Sequence, residues 1–193
     1  IFLGVKAVSI YGVAQKIAEV LEIPLRAISA SMYPLMARPA SAGNTLRIGR
    51  IIERFSSGYL LALLIPGTLL LTFAPAAVLA IGGPEYSDAV WVVRIFVIAA
   101  FFFPVDRMIG LALDGMNRPN INMYKVMFML GLNGVGDVIV LIWFPSLWAV
   151  SVVTVIVALG GMAFGLIALQ PDTRMSFPRA LTCVRWWTKP AYL

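Results

Sequence analysis

Lys16, Glu19, Glu22 and Arg26 fall close together in a stretch that is otherwise strongly apolar. Side chains of both signs at helical spacing can bind an ion, exchange a proton or hold a charged ligand. At ~100° per residue, Tyr11, Gln15, Glu19, Glu22, Arg26, Ser29 and Tyr33 share an arc of roughly 80°. The opposite face carries Val13, Ile17, Val20, Pro24 and Ala27. In a chain as apolar as this one, that geometry puts the apolar face against lipid or other helices. The polar seam is then expected to face an enclosed polar cavity. The competing reading is self-compensation, because Lys16–Glu19 and Glu22–Arg26 have the spacing of helical ion pairs.

Two further groups carry charge into apolar segments. Asp106 and Arg107 lie deep in the segment 87–114, with Asp114 seven residues beyond Arg107 on the same face. An arginine there can clamp a phosphate through its planar fork of donors, or Asp106 and Arg107 can pin the helix to a neighbour. Asn133 and Asp137 are four apart, so they face one cavity or one neighbouring helix. Arg94 is close enough to the segment's start to snorkel to the surface. Pro24, Pro66 and Pro104 read as hinges or as ordinary kinks. Gly161 and Gly165 have the spacing that lets helices approach closely.

Several chemistries have no residues to run them. Histidine is absent and Cys183 is the single cysteine. Neither an imidazole base, an internal disulfide nor a Cys/His metal site can be built. Phosphate-cradling loops and serine–histidine arrangements are also missing. No catalytic residues, metal or cofactor are therefore expected, and the chain reads as a non-enzyme. The net charge of +6 does not gather on one soluble face, so nucleic acid is not an expected partner.

Of the 193 residues, 61% are hydrophobic and only 12% charged, and mean hydropathy is +0.91. Soluble domains carry about 25% charged residues. Apolar runs near 20 residues match the length that crosses a bilayer core. The expected fold is all-α, a polytopic membrane bundle of about five transmembrane helices at about 8–36, 58–81, 87–114, 120–143 and 147–169. They form a transmembrane lobe, 1–171, followed by a basic, aromatic cytoplasmic tail, 172–193, suited to anionic membrane lipid. The linker 38–56 has the pattern of a short interfacial helix, with Arg47, Arg50 and Arg54 opposite Ile48, Ile51, Ile52 and Phe55.

Basic residues set the orientation. Arg38, Arg47, Arg50, Arg54, Arg118, Lys125, Arg174, Arg179, Arg185 and Lys189 fall on one side, and Lys6 and Arg94 on the other. The richer side, with the C-terminus, is expected to be cytoplasmic. A first helix that starts outside, without an export signal, leads us to expect a piece of a longer protein.

Three segments resemble the polysaccharide flippases of the multidrug/oligosaccharidyl-lipid/polysaccharide exporter superfamily. The run Val13-Ala14-Gln15-Lys16-Ile17-Ala18-Glu19, continuing to Ser31-Met32-Tyr33-Pro34, is similar to the start of their C-terminal half. Ile81-Gly82-Gly83-Pro84-Glu85-Tyr86 leading to Val93-Arg94-Ile95 looks like an outer loop and its helix, and Asp114-Gly115-Met116-Asn117-Arg118-Pro119 like a cytoplasmic turn. The resemblance implies the C-terminal lobe of a two-lobed transporter, partnered by a missing N-terminal lobe. Its cargo would be a lipid-linked oligosaccharide, moved across the cell (inner) membrane by alternating access. On that footing Arg26 and Arg107 would attract pyrophosphate, while Tyr11, Gln15 and Tyr33 would meet sugar hydroxyls. Glu19, Glu22 or Asp137 would couple a proton or cation.

Three rivals remain open. A drug/cation antiporter of the same superfamily would use the acidic residues on its cargo. A membrane glycosyltransferase or polymerase would normally show a long outer loop, and here the outer connections are short. A non-catalytic scaffold or remnant is the third.

Overall fold

The computed structural model describes residues 4–173, and these form an all-α bundle. The helices are α1 (Gly4–Glu19), α2 (Ile23–Ser41), α3 (Thr45–Ile81), α4 (Ala89–Ala100), α5 (Phe103–Gly115), α6 (Pro119–Trp143) and α7 (Leu147–Thr173). A short 3-10 turn, Pro84–Tyr86, sits between α3 and α4.

Two of the five anticipated helices are broken. The segment 8–36 divides at Val20–Glu22, just ahead of Pro24 in the first turn of α2. Proline has no N–H to offer the carbonyl four residues back, and its ring crowds that carbonyl. Tight bonds from Leu21 N to Ala18 O and from Glu22 N to Glu19 O close the end of α1. The Tyr59 hydroxyl of α3 donates to the Leu21 carbonyl at 2.7 Å. The segment 87–114 divides for the same reason at Phe101–Phe102, before Pro104, and α4 and α5 meet at a 43° bend.

The anticipated linker, by contrast, is almost entirely helical. Helix α2 runs on to Ser41, and only Ala42-Gly43-Asn44 separates it from α3. Asn44 caps α3 by accepting from Arg47 N at 3.2 Å. The anticipated interfacial helix is the first third of α3, a helix of 37 residues. At 1.5 Å per residue it is about 55 Å long, well over the ~30 Å of a bilayer core. Arg47, Arg50 and Arg54 are exposed there as expected, but Ile48 and Ile52 pack among Met36, Val105, Met108 and Ile109. Protein, not lipid, covers its apolar side. Helix α7 runs to Thr173, past residue 172 where the tail was expected to start; the rest of that expected tail, 174–193, lies outside the described residues.

Helices α3, α6 and α7 are each long and apolar enough to cross a membrane, and the bent α4–α5 pair is so only when its two helices are taken together as one broken span. The α1–α2 pair, with its ionisable seam, is not in that set. The α4–α5 pair is the axis of the bundle. Against it pack α1 and α2 on one side, α3 behind, and α7 with α6 on the other side. One apolar cluster joins α1, α3 and α4 through Ile17, Leu63, Val78 and Phe96, and a second joins α2, α3, α5 and α7 through Met36, Ile52, Ile109 and Met162. Among the described residues, α1 and α2 make at most marginal contact with α6.

Helix α6 is inside out by the standards of a soluble protein. Its one buried residue is Lys125, while Met127, Leu130, Val135, Val138, Ile139 and Ile142 are exposed. Water would penalise that arrangement on both counts, and a hydrocarbon surround satisfies it. The bundle is a membrane-embedded one.

Candidate functional site

The gap between α1–α2 and α6 is a groove of about 260 Å³. Its polar wall is Tyr11, Gln15, Glu19, Glu22 and Arg26, and its floor is Phe96, Ala100 and Phe103 of the central pair. Asn133 of α6 and Thr154 of α7 complete it. Both proline breaks border this groove, so the seam runs across the α1–α2 break and the floor across the α4–α5 bend.

The seam is paired and open at once. Lys16 Nζ lies 3.1 Å from Glu19 Oε2, and Arg26 Nη2 lies 2.9 Å from Glu22 Oε2. Gln15 Nε2 donates to Glu19 Oε1 at 3.3 Å. The pairs are asymmetric: Glu19 and Glu22 keep 26% and 25% of their side chains exposed, Lys16 and Arg26 76% and 61%. The carboxylates are therefore the inner members and the cations the outer ones. Tyr11 is held at the upper end by an edge-on contact with Phe96, ring centres 5.2 Å apart.

The seam ends at Arg26. Ser29 is buried with its hydroxyl on the Leu25 carbonyl at 2.6 Å, and Tyr33 is exposed away from the groove wall. A uniform 100° advance places both on the seam, but beyond Arg26 helix α2 packs along α5 and leaves the groove behind. Arg107 is exposed on α5 and is not part of the groove wall either. Its neighbour Asp106 turns the other way and pairs with Lys125 at 2.8 Å. Asp114 accepts from Asn122 Nδ2 at 3.0 Å through both oxygens rather than facing Arg107.

Asp137 lines an adjoining recess of about 350 Å³ with Tyr11, Asn133, Leu141 and Leu147. Tyr11 and Asn133 border both spaces. One carboxylate oxygen of Asp137 is buried without a hydrogen-bond partner among the described residues. Among those residues no three His, Cys, Asp or Glu side chains gather to hold a metal ion.

Three residues escaped the sequence or were misplaced by it. Lys125, counted above as a loop cation, is only 3% exposed and threads between α5, α6 and α7. The signal was there, in an aspartate and a lysine at matching depths of successive apolar segments. Arg94 does not snorkel; it is half-buried and its Nε donates to the Leu71 carbonyl at 3.3 Å. Thr154, one of three hydroxyl residues in the apolar α7 with Ser151 and Thr173, gave no sequence signal.

Gly161 and Gly165 serve packing, but with two different partners. Met129 of α6 fills the hole at Gly161, and Ile109 of α5 the one at Gly165. Comparison with family models, with curated proteins and with solved structures finds no match to this chain.

Proposed function

We propose that the chain is one helical lobe of a membrane transporter that moves a polyprenyl-pyrophosphate-linked oligosaccharide across the cell membrane by alternating access. The observation that carries this reading is the groove of about 260 Å³, in which ionisable and amide side chains of α1 and α2 meet an aromatic floor on α4 and α5. Arg26 shares its guanidinium with Glu22 through one nitrogen and is largely exposed. Its remaining donors suit a diphosphate. Tyr11, Gln15 and Asn133 offer hydroxyl and amide groups to sugar, and Phe103, backed by the buried Phe96, offers an apolar surface to an isoprenoid or a pyranose ring. Asp137, in the adjoining recess, is the candidate for proton or cation coupling. Arg107 lies on the exposed stripe of α5 one turn beyond Phe103, where it would meet cargo only if the groove lengthens.

A second helical lobe is the partner this reading requires, set across the gap between α1–α2 and α6. The turn at Ala42–Asn44, the α5–α6 turn and Asp172 share one end of the bundle, joined by Thr45–Asp172 and Arg118–Asp172 bonds. Arg38, Arg47, Arg50, Arg54 and Arg118 gather there, against Lys6 and Arg94 toward the other end. By the positive-inside bias that end is cytoplasmic.

The test is Arg26→Ala in cells that depend on this protein for glycan export. Export should fail while protein abundance in the membrane stays normal, and normal export would remove Arg26 as the diphosphate contact. The inner position of Glu19 and Glu22 favours one second reading, an antiporter for organic cations. Under that reading Glu19→Gln and Glu22→Gln, rather than Arg26→Ala, would abolish transport.

A further inference from the structure

At the end of the bundle opposite the arginine-rich turns lies a separate groove of about 440 Å³. It is formed by the start of α1, the start of α4 and the α6–α7 turn, with Lys6, Asp88, Trp91, Ser146 and Trp148 on its wall. Both indoles are more than half exposed. The guanidinium of Arg94 lies 4.8 Å from the Trp91 ring centre, covering one face and fixing the ring.

Lys6 and Asp88 set this groove apart. They line the same space with opposite charge, yet they form no ion pair with each other or with any other described residue. Asp88 also makes no side-chain cap at the start of α4. The groove thus offers one positive and one negative group, separated by more than contact distance. Exposed tryptophans at the ends of apolar helices mark the depth where hydrocarbon gives way to headgroups.

We infer that this groove holds the headgroup of a zwitterionic phospholipid, with Lys6 on the phosphate and Asp88 on the ammonium of a phosphoethanolamine. The indoles lie beside the glycerol and the first acyl carbons. An anionic headgroup would satisfy Lys6 but meet repulsion from Asp88. A neutral sugar would leave two opposite charges unused. The inference rests on the bundle's place in a membrane and is independent of what the other groove carries.

The full chain is placed in nanodiscs of phosphatidylglycerol and phosphatidylethanolamine with matched acyl chains, and retained lipid is counted by native mass spectrometry. The wild type should retain phosphatidylethanolamine preferentially. Lys6→Ala should lower that retention by about fivefold, the worth of one basic residue beside a lipid surface. Asp88→Asn should turn the preference toward phosphatidylglycerol, with unchanged circular dichroism confirming the fold. Equal retention of both lipids by the wild type, or variants identical to it, would overturn the inference. So would displacement of the lipid by soluble phosphoethanolamine, which would assign the groove to a small molecule.

Discussion

Arg94 Nε donates to the carbonyl of Leu71 at 3.3 Å, and Leu71 is the residue four before Pro75 inside α3. Proline removes the N–H that a helix would direct at that carbonyl. The arginine of one helix thus repairs the backbone of another, which is how proline is tolerated within membrane helices. Arg94→Leu should therefore destabilise the bundle by about 1–3 kcal/mol, the cost of an unsatisfied buried acceptor. In a Pro75→Ala background the backbone N–H returns and most of that loss should disappear. A double-mutant cycle of unfolding in detergent measures it, and equal losses in both backgrounds would refute the repair.

Lys125 and Asp106 form the most buried ion pair among the described residues, and Lys125 Nζ also donates to the Asp106 carbonyl at 3.2 Å. Removing one partner strands the other charge in an apolar setting. Asp106→Ala or Lys125→Met alone should cost about 3–5 kcal/mol, while the double replacement Asp106→Leu/Lys125→Met should be close to neutral. Thermal unfolding of the three variants decides it. A double variant as unstable as the singles would mean the pair serves geometry that a hydrophobic pair cannot supply.

The hole at Gly161 is filled by Met129, whose side chain would collide with any Cβ placed there. Gly161→Val should destabilise by about 1–3 kcal/mol through overpacking. Trimming the knob with Met129→Ala in the same chain should restore part of the loss. Gly131 and Gly134 have open space around a built Cβ, so alanine at either should leave the unfolding midpoint nearly unchanged.

The apolar runs announced the helices well, because a chain with so few charges has little choice but to bury backbone in helices. The segments 120–143 and 147–169 match α6 and α7 closely. Prolines were visible, yet a proline alone does not tell whether its helix continues through it or ends before it. Pro66 and Pro75 sit inside a continuous α3, while Pro24 and Pro104 begin new helices. The groove's polar wall was legible through Arg26 because the seam is local to α1 and the start of α2. Ser29 and Tyr33 were not, since beyond Arg26 the course of α2 is set by its packing on α5, which its own periodicity does not contain. Asn133 and Asp137, four apart, do line one recess, but Thr154 reaches the groove only through the packing of α7, information that no periodicity within one helix contains.

Glu22 and Arg26 bear most directly on the cargo, because they bond each other and line the groove together. If the cargo is anionic, Glu22 is a competitor that an incoming diphosphate must displace. Glu22→Gln should then keep or strengthen binding of a prenyl pyrophosphate probe, while Arg26→Ala should weaken it by about tenfold, the order expected for a lost charge-assisted contact. If the cargo is an organic cation, the roles exchange: Glu22→Gln should abolish binding of tetraphenylphosphonium and Arg26→Ala should spare or improve it. Titrating both probes against both variants separates the two readings. Two variants that bind each probe as the wild type does would leave the pair a brace across the α1–α2 break, with Tyr59 on Leu21 as its counterpart from α3.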